Sequence, residues 1–268
     1  MLTVNQLTKV YNSGFFQKTS LKAVDGACFH IPKGHCFGII GESGSGKTTI
    51  GKMVAGLLGP TAGTVEIGGV NIFEKRYYKK LDFHRHIQMI FQEPDGVFDP
   101  RWKLEKSMME PYRLHTHMST KEIRRDVMQW LETVGLSEEH LGRYPFELSG
   151  GQLQRLAFAR AMSMQPDLIV ADEPTSSLDV SVQAQILTMM KDLQQKYNQT
   201  ILFITHDLYV ARQVCEQVAV MQEGKLIEQG SAQQVFEAPR HAYTREILEA
   251  QLPPDLTSRE KIAMEESL

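Results

Sequence analysis

The apolar positions of the chain fall first into strand-like runs. Residues 2–11 and 21–31 read as two strands around a turn-rich insert at 12–20. Pro32-Lys33-Gly34 marks a turn. Cys36-Phe37-Gly38-Ile39-Ile40 then forms a short apolar run of the kind shown by a buried strand. From 49 to 58 the spacing becomes helical, with Ile50, Met53, Val54 and Leu57 on one face. Residues 64–67 and 70–73, split by Gly68-Gly69, predict a hairpin, and 87–91 a further strand.

Between about 103 and 145 the pattern turns helical. Ser119-Thr120-Lys121-Glu122 is a capping box, and Ile123, Val127, Trp130, Leu131 and Val134 follow at helical spacing until Gly135 stops the helix. This stretch predicts a helical insert. After Met164 strands and helices alternate again. Residues 168–171 and 201–205 are apolar strands, Ile186, Met190, Leu193 and Tyr197 mark one face of a helix, and 208–214 is a short helix. Strand-like runs at 216–222 and 226–229 flank Glu223-Gly224, Ser231 caps another short helix, and a last helix runs to about Gln251. Such alternation predicts a parallel sheet flanked by helices. The polar residues from Pro253 onward predict a frayed tail.

Composition narrows the function classes. A net charge of −3 over 268 residues gives no global attraction to nucleic acid or anionic lipid. No apolar run approaches the ~20 residues of a membrane span, and the first residues carry no signal-peptide pattern. Cys28, Cys36 and Cys215 lack metal-type spacing and fit reduced, partly buried thiols.

The candidate chemistry centres on Gly41-Glu42-Ser43-Gly44-Ser45-Gly46-Lys47-Thr48, a phosphate-binding P-loop lying between a predicted strand and a predicted helix. Its N–H groups would cradle a phosphate chain, and the helix N-terminus adds partial positive charge. Lys47 would reach the β- and γ-phosphates and the Thr48 hydroxyl a Mg2+ ion. Leu168-Ile169-Val170-Ala171-Asp172-Glu173 is an apolar strand ending in two acids: Asp172 would hold Mg2+ and Glu173 would orient and deprotonate a water. Leu148-Ser149-Gly150-Gly151-Gln152 is a capping box whose paired glycines leave N–H groups bare at a helix start, as an anion site requires.

Together these stretches resemble an ATP-binding cassette (ABC) ATPase. Gly41–Thr48 matches the family's Walker A motif, 168–173 its Walker B and 148–152 its signature. The resemblance implies a P-loop NTPase α/β fold with a parallel sheet, an N-terminal antiparallel β-subdomain and an inserted helical subdomain at about 103–163. The ATPase domain would span 1–251 and the tail 252–268. It also implies ATP and Mg2+ as ligands, with Thr49 beside the phosphates and Tyr11 stacked on adenine. Gln92 would sense Mg2+ and the attacking water, Asp179 would lie in the D-loop, and His206 would contact the γ-phosphate. In a head-to-tail pair, Ser149, Gly150, Gly151 and Gln152 would act on the partner's nucleotide.

Three further stretches resemble the peptide and nickel importer branch: 88–94 with 98–101, 173–185, and Pro239-Arg240-His241-Ala242-Tyr243-Thr244. That branch implies a peripheral ATPase on the cytoplasmic face of the inner or plasma membrane. Its partners would be two membrane permease subunits, a second ATPase (a copy or a different chain) and an extracytoplasmic solute-binding protein, with no nucleic acid. The solute, peptide or metal complex, stays open. The rival readings are a soluble ABC ATPase acting on nucleic acid or ribosomes, a module that binds ATP without hydrolysing it, and an exporter subunit. No cysteine lies beyond Cys215, so no iron–sulfur cluster is expected. The pairs His84/His86 and His115/His117 carry no metal expectation, because i and i+2 on a helix face apart. The basic run at 76–80 and Arg124 with Arg125 read as solvated faces. The region 91–102, with Phe98 expected exposed in a loop, is a candidate partner surface.

Overall fold

The computed structural model describes residues 1–13, 19–74 and 83–251. The basic run at 76–80 and the tail at 252–268 lie outside them. A four-stranded antiparallel sheet of order β2-β1-β4-β5 is made of β1 (Leu2–Ser13), β2 (Thr19–Ile31), β4 (Ala62–Ile67) and β5 (Val70–Asn71). A six-stranded sheet runs β10-β9-β3-β8-β7-β6, from β3 (Cys36–Ile40), β6 (Ile87–Ile90), β7 (Leu168–Asp172), β8 (Thr200–Thr205), β9 (Gln217–Gln222) and β10 (Lys225–Ser231). Within it only the β9–β10 pairing is antiparallel.

Pleating sorts the apolar runs of the second sheet into two cores, since alternate residues face opposite sides. Phe37, Ile39, Leu168, Val170, Leu202 and Ile204 face the first sheet, with helix α1 (Lys47–Val54) packed between. Cys36, Ile40, Ile169, Ala171, Ile201 and Phe203 face the other helices. These are α3 (Leu104–His115), α4 (Thr120–Thr133), α5 (Gly150–Met162), α6 (Val180–Tyr197), α7 (Leu208–Val214), α8 (Ala232–Glu237) and α9 (Ala242–Gln251). A short helix α2 (Phe83–His86) precedes β6. Burial on both sides explains why 36–40, 168–171 and 201–204 carry no charged or strongly polar residue.

Several boundaries differ from the sequence reading. The first two strands extend to Ser13 and Thr19 because the ladder continues through Tyr11↔Leu21 and Ser13↔Thr19. Helix α1 stops at Val54, with Gly56 in left-handed conformation (φ 73°), and Leu57 is exposed rather than on a buried face. Phe98 is buried, contrary to expectation: it follows a single 3-10 turn (Pro94–Val97) and packs in the helical core. Arg124 is not simply solvated but bridges Glu105 and Glu138. His86 pairs with Asp167 at 2.7 Å. The Sγ atoms of Cys36 and Cys215 lie 3.6 Å apart and buried. That hydrogen bond and burial hold the Cys36 thiol well above its ordinary pKa.

Candidate active site

Strand register brings the candidate groups to one edge. Ile40 pairs with Thr205, Asp172 with Ile204, and Ile90 with Ala171, so β3, β8, β7 and β6 end together. Gly41, His206, Glu173 and Gln92 follow these ends, where ligands gather in open parallel sheets. The loop after β3 turns into α1 at Gly46, which adopts φ 109° as N-cap. A Cβ there would sit 2.2 Å from the Ala23 carbonyl oxygen, so only glycine lets the loop lie against β2. The free N–H groups of the first turn of α1 face into the loop.

Lys47 is buried, and its Nζ donates to the carbonyls of Gly41 and Glu42, both at 2.7 Å. Burial lowers its pKa, while Glu173, Asp172 and Glu42 push it back up. The Thr48 hydroxyl donates to Asp172 Oδ1 at 3.1 Å. Burial raises the Asp172 carboxyl, the Thr48 hydrogen bond opposes this, and the neighbouring Glu173 charge adds to the rise. Glu173 has a left-handed backbone (φ 46°), with its N–H donated to the Ile204 carbonyl at 2.8 Å. Its Oε1 lies 3.0 Å from His206 Nδ1.

A cavity of about 430 Å³ is lined by Tyr11, Ser43, Gly44, Gly46, Lys47, Thr48, Thr49, Gln92 and Glu173, together with Leu21 and Ala23. That volume falls within the range of small-ligand sites. Asp172 and Ser45 lie buried behind the lining, and His206 touches Glu173 from the exposed side. A larger hollow of about 600 Å³, lined by Thr133, Arg155, Gln185, Asp192 and Lys196 among others, has neither a phosphate loop nor paired acids. The smaller cavity is therefore the candidate site.

The cavity does not gather every candidate residue. Ser149, Gly150, Gly151, Gln152 and Asp179 are absent from its lining. Ser149 and Gln152 form a reciprocal capping box at the start of α5, while Gly150 stays exposed there. Asp179 caps α6 through Val182 N–H at 3.0 Å. The sequence reading missed Leu21, paired opposite Tyr11, because its run lacked a chemical signal. It named Tyr243, a buried residue of α9, only within the tail resemblance and gave it no place at the site. Burial raises its phenol, which also contacts Glu42 in the phosphate loop. The i, i+4 spacing of Tyr243 and Ile247 marks a buried face but not what it packs against.

The ABC transporter family model matches residues 24–176. The chain belongs to the ABC transporter family. It is 44% identical over 238 residues to the oligopeptide transport ATP-binding protein OppF of Bacillus subtilis, covering 88% of this chain and 78% of that one. It is 40% identical over 253 residues to the di/tripeptide transport ATP-binding protein DppF of Pseudomonas aeruginosa, covering 93% and 78%. Among solved structures it resembles the dimeric, post-hydrolysis ATP-binding cassette MJ0796 bound to ADP and Pi. The TM-score is 0.77 and the identity 28%, over 87% of this chain and 99% of that one. The cassette cbiO1 of Clostridium perfringens matches at TM-score 0.76 and 26% identity, over 97% and 98%. This cassette is thus an ATPase that binds ATP, with the expected ABC fold. Its described helices include none long and apolar enough to cross a membrane.

Proposed function

We propose that this ATPase powers peptide uptake through two membrane permease subunits, from the cytoplasmic face of the inner membrane. Peptide rather than nickel is favoured because the 44% and 40% identical relatives cited above are peptide transport ATP-binding proteins. A second cassette completes each site, and an extracytoplasmic binding protein delivers the solute. The observation that carries the pairing is the separation of the signature residues from the cavity that holds the phosphate loop. One chain presents two half-sites on different surfaces.

Within one site Tyr11 stacks on adenine, and the N–H groups from Ser43 to Thr49 take the phosphates. Lys47 leaves its carbonyl partners for the β- and γ-phosphates. Glu173 accepts a proton from the attacking water as its oxygen bonds to the γ-phosphorus and the bond to ADP breaks. His206, 3.0 Å from Glu173, fixes that carboxylate and reaches toward the γ-phosphate. Ser149 and Gly151 of the second cassette close over it.

The residues fit a Mg2+ ion. Thr48, Asp172 and Gln92 offer hard oxygen donors, and the buried Asp172 beside Glu173 concentrates negative charge that a cation would relieve. Bound there, Mg2+ would neutralise charge building on the phosphate oxygens.

The test is to purify tagged Glu173→Gln protein from detergent extracts of its own cells with Mg-ATP and identify what co-purifies. Two membrane proteins, with or without a second cassette, are expected. Recovery with ribosomes or nucleic acid, and no membrane protein, overturns the proposal.

A further inference from the structure

Gln154 lies in α5 and is 1% exposed. Neither its Oε1 nor its Nε2 has a hydrogen-bond partner among the described residues. An amide buried with both ends unmet forfeits its hydration without return. Other buried glutamines here are satisfied: Gln194 donates to the Gly34 carbonyl at 3.0 Å, and Gln199 to the Pro166 carbonyl at 3.0 Å. The Ser107 hydroxyl is also unmet. It sits in a helix, however, where a hydroxyl rotor has a main-chain carbonyl one turn back within reach. A glutamine amide has no such local outlet.

Its position on the helix indicates a partner. Gln154 stands one turn beyond Gly150 and Gly151, on the same strip of α5. That strip faces the end of the segment after β7 and the start of α6. A Cβ on Gly150 would lie 3.3 Å from Leu178 Cδ2, and one on Gly151 would lie 2.4 Å from Val182 Cγ1. Between Glu173 and Asp179 the main chain is held by long bonds, Ser176 N–H to the Glu173 carbonyl at 3.3 Å and Leu178 N–H to the Thr175 carbonyl at 3.2 Å. Ser176 and Ser177 are exposed. A side-chain amide, acceptor and donor side by side, matches the needs of one peptide group.

We infer that Gln154 is a positioning residue for the loop 174–179. When nucleotide draws two cassettes together, this loop repacks and one of its peptide groups takes the Gln154 amide, which fixes the backbone on which Glu173 stands. The unmet amide of the single chain is the cost of a contact made in the closed pair. The inference rests on the pairing proposed above.

The test replaces the amide by an apolar side chain of similar length, Gln154→Met, with Gln154→Leu as a second variant of different shape. In the nucleotide-free chain the melting temperature is expected to rise by about 2–4 °C, since an unmet buried polar group is removed. In the purified transporter kcat falls about tenfold, a loss of transition-state positioning, while the KM for ATP stays within about twofold. A merely structural glutamine would not make a more stable chain slower. Unchanged kcat in both variants overturns the inference, as does a melting temperature that falls together with kcat. ATP-dependent pairing is read separately, by light scattering of Glu173→Gln chains with and without Gln154→Met. Pairing of the first and not the second is expected. Failure of both to pair overturns the pairing proposal and this inference with it, and equal pairing of both together with unchanged kcat overturns this inference alone.

Discussion

Glu173 combines two demands on one residue: a left-handed backbone at φ 46° and a carboxylate held 3.0 Å from His206. The conformation costs a non-glycine residue about 1–2 kcal/mol. It turns the chain out of β7 so that Asp172 points back to Thr48 while Glu173 lines the cavity. Glu173→Gln keeps backbone and shape but removes the proposed base. Hydrolysis is expected to fall about 10³-fold, the scale of general-base catalysis, with ATP affinity within about twofold in a nucleotide-binding titration. Residual turnover within about tenfold of wild type would assign the base elsewhere. Asp172 yields a stability prediction. A buried carboxyl whose folded pKa is raised binds its proton more tightly folded than unfolded. Its contribution to stability therefore falls as pH rises from the ordinary carboxylate value through the raised one. Asp172→Asn should melt above wild type in metal-free buffer at neutral pH, and the gap should shrink on acidification below the ordinary carboxylate pKa. The same variant should lose metal-dependent hydrolysis.

Elements were legible where local chemistry decides them. The capping boxes at Ser119, Ser149 and Ser231 are formed as the sequence implied, because a cap needs only residues three apart. The strands ending at Ile40, Asp172 and Thr205 were readable from burial on both faces. What failed depended on distant partners. The outer ends of β1 and β2 are set by cross-strand pairing of polar residues, and Phe98 is buried by helices remote in sequence. The docking of α9 is another such case. Glu228 of β10 accepts the N–H groups of Arg240, at 2.8 Å, and His241, at 3.0 Å, and so anchors the start of that helix. Desolvation pushes the Glu228 carboxyl up, but the Thr244 hydroxyl together with these two N–H donors outweighs it and leaves the pKa below its usual value. A depressed carboxylate contributes stability that is present above the unfolded pKa and lost as pH falls through the folded one. Glu228→Gln is expected to lower the melting temperature by about 2 °C or less at neutral pH, with the difference vanishing in acid. A constant difference across that range would mean that shape, not charge, anchors the helix.

At the scale of the molecule, the motif residues divide into those that line the phosphate-loop cavity and those that do not. The phosphate loop, Gln92 and Glu173 share a cavity, while Ser149 to Gln152 lie at the start of α5, outside its lining. Spacing alone carries no sign of that separation; it is expected only from the family resemblance, which assigns Ser149 to Gln152 to the partner's nucleotide. Mutation separates a role in cis from one in trans. Lys47→Ala removes a cation from the cavity of its own chain, so both nucleotide affinity and turnover should fall. Ser149→Arg places a bulky cation at the start of α5. If Ser149 acts on the second cassette's nucleotide, the isolated variant should bind ATP within about twofold of wild type, because distant sites behave independently. Turnover in the assembled transporter should nevertheless fall by about 10² or more, since the closed state needed for positioning no longer forms. The measurement is a pair: nucleotide titration of the isolated chain and ATPase rate of the complex. Loss of binding by the isolated Ser149→Arg chain would show that the signature serves its own cavity. The pairing of cassettes would then lose its main support.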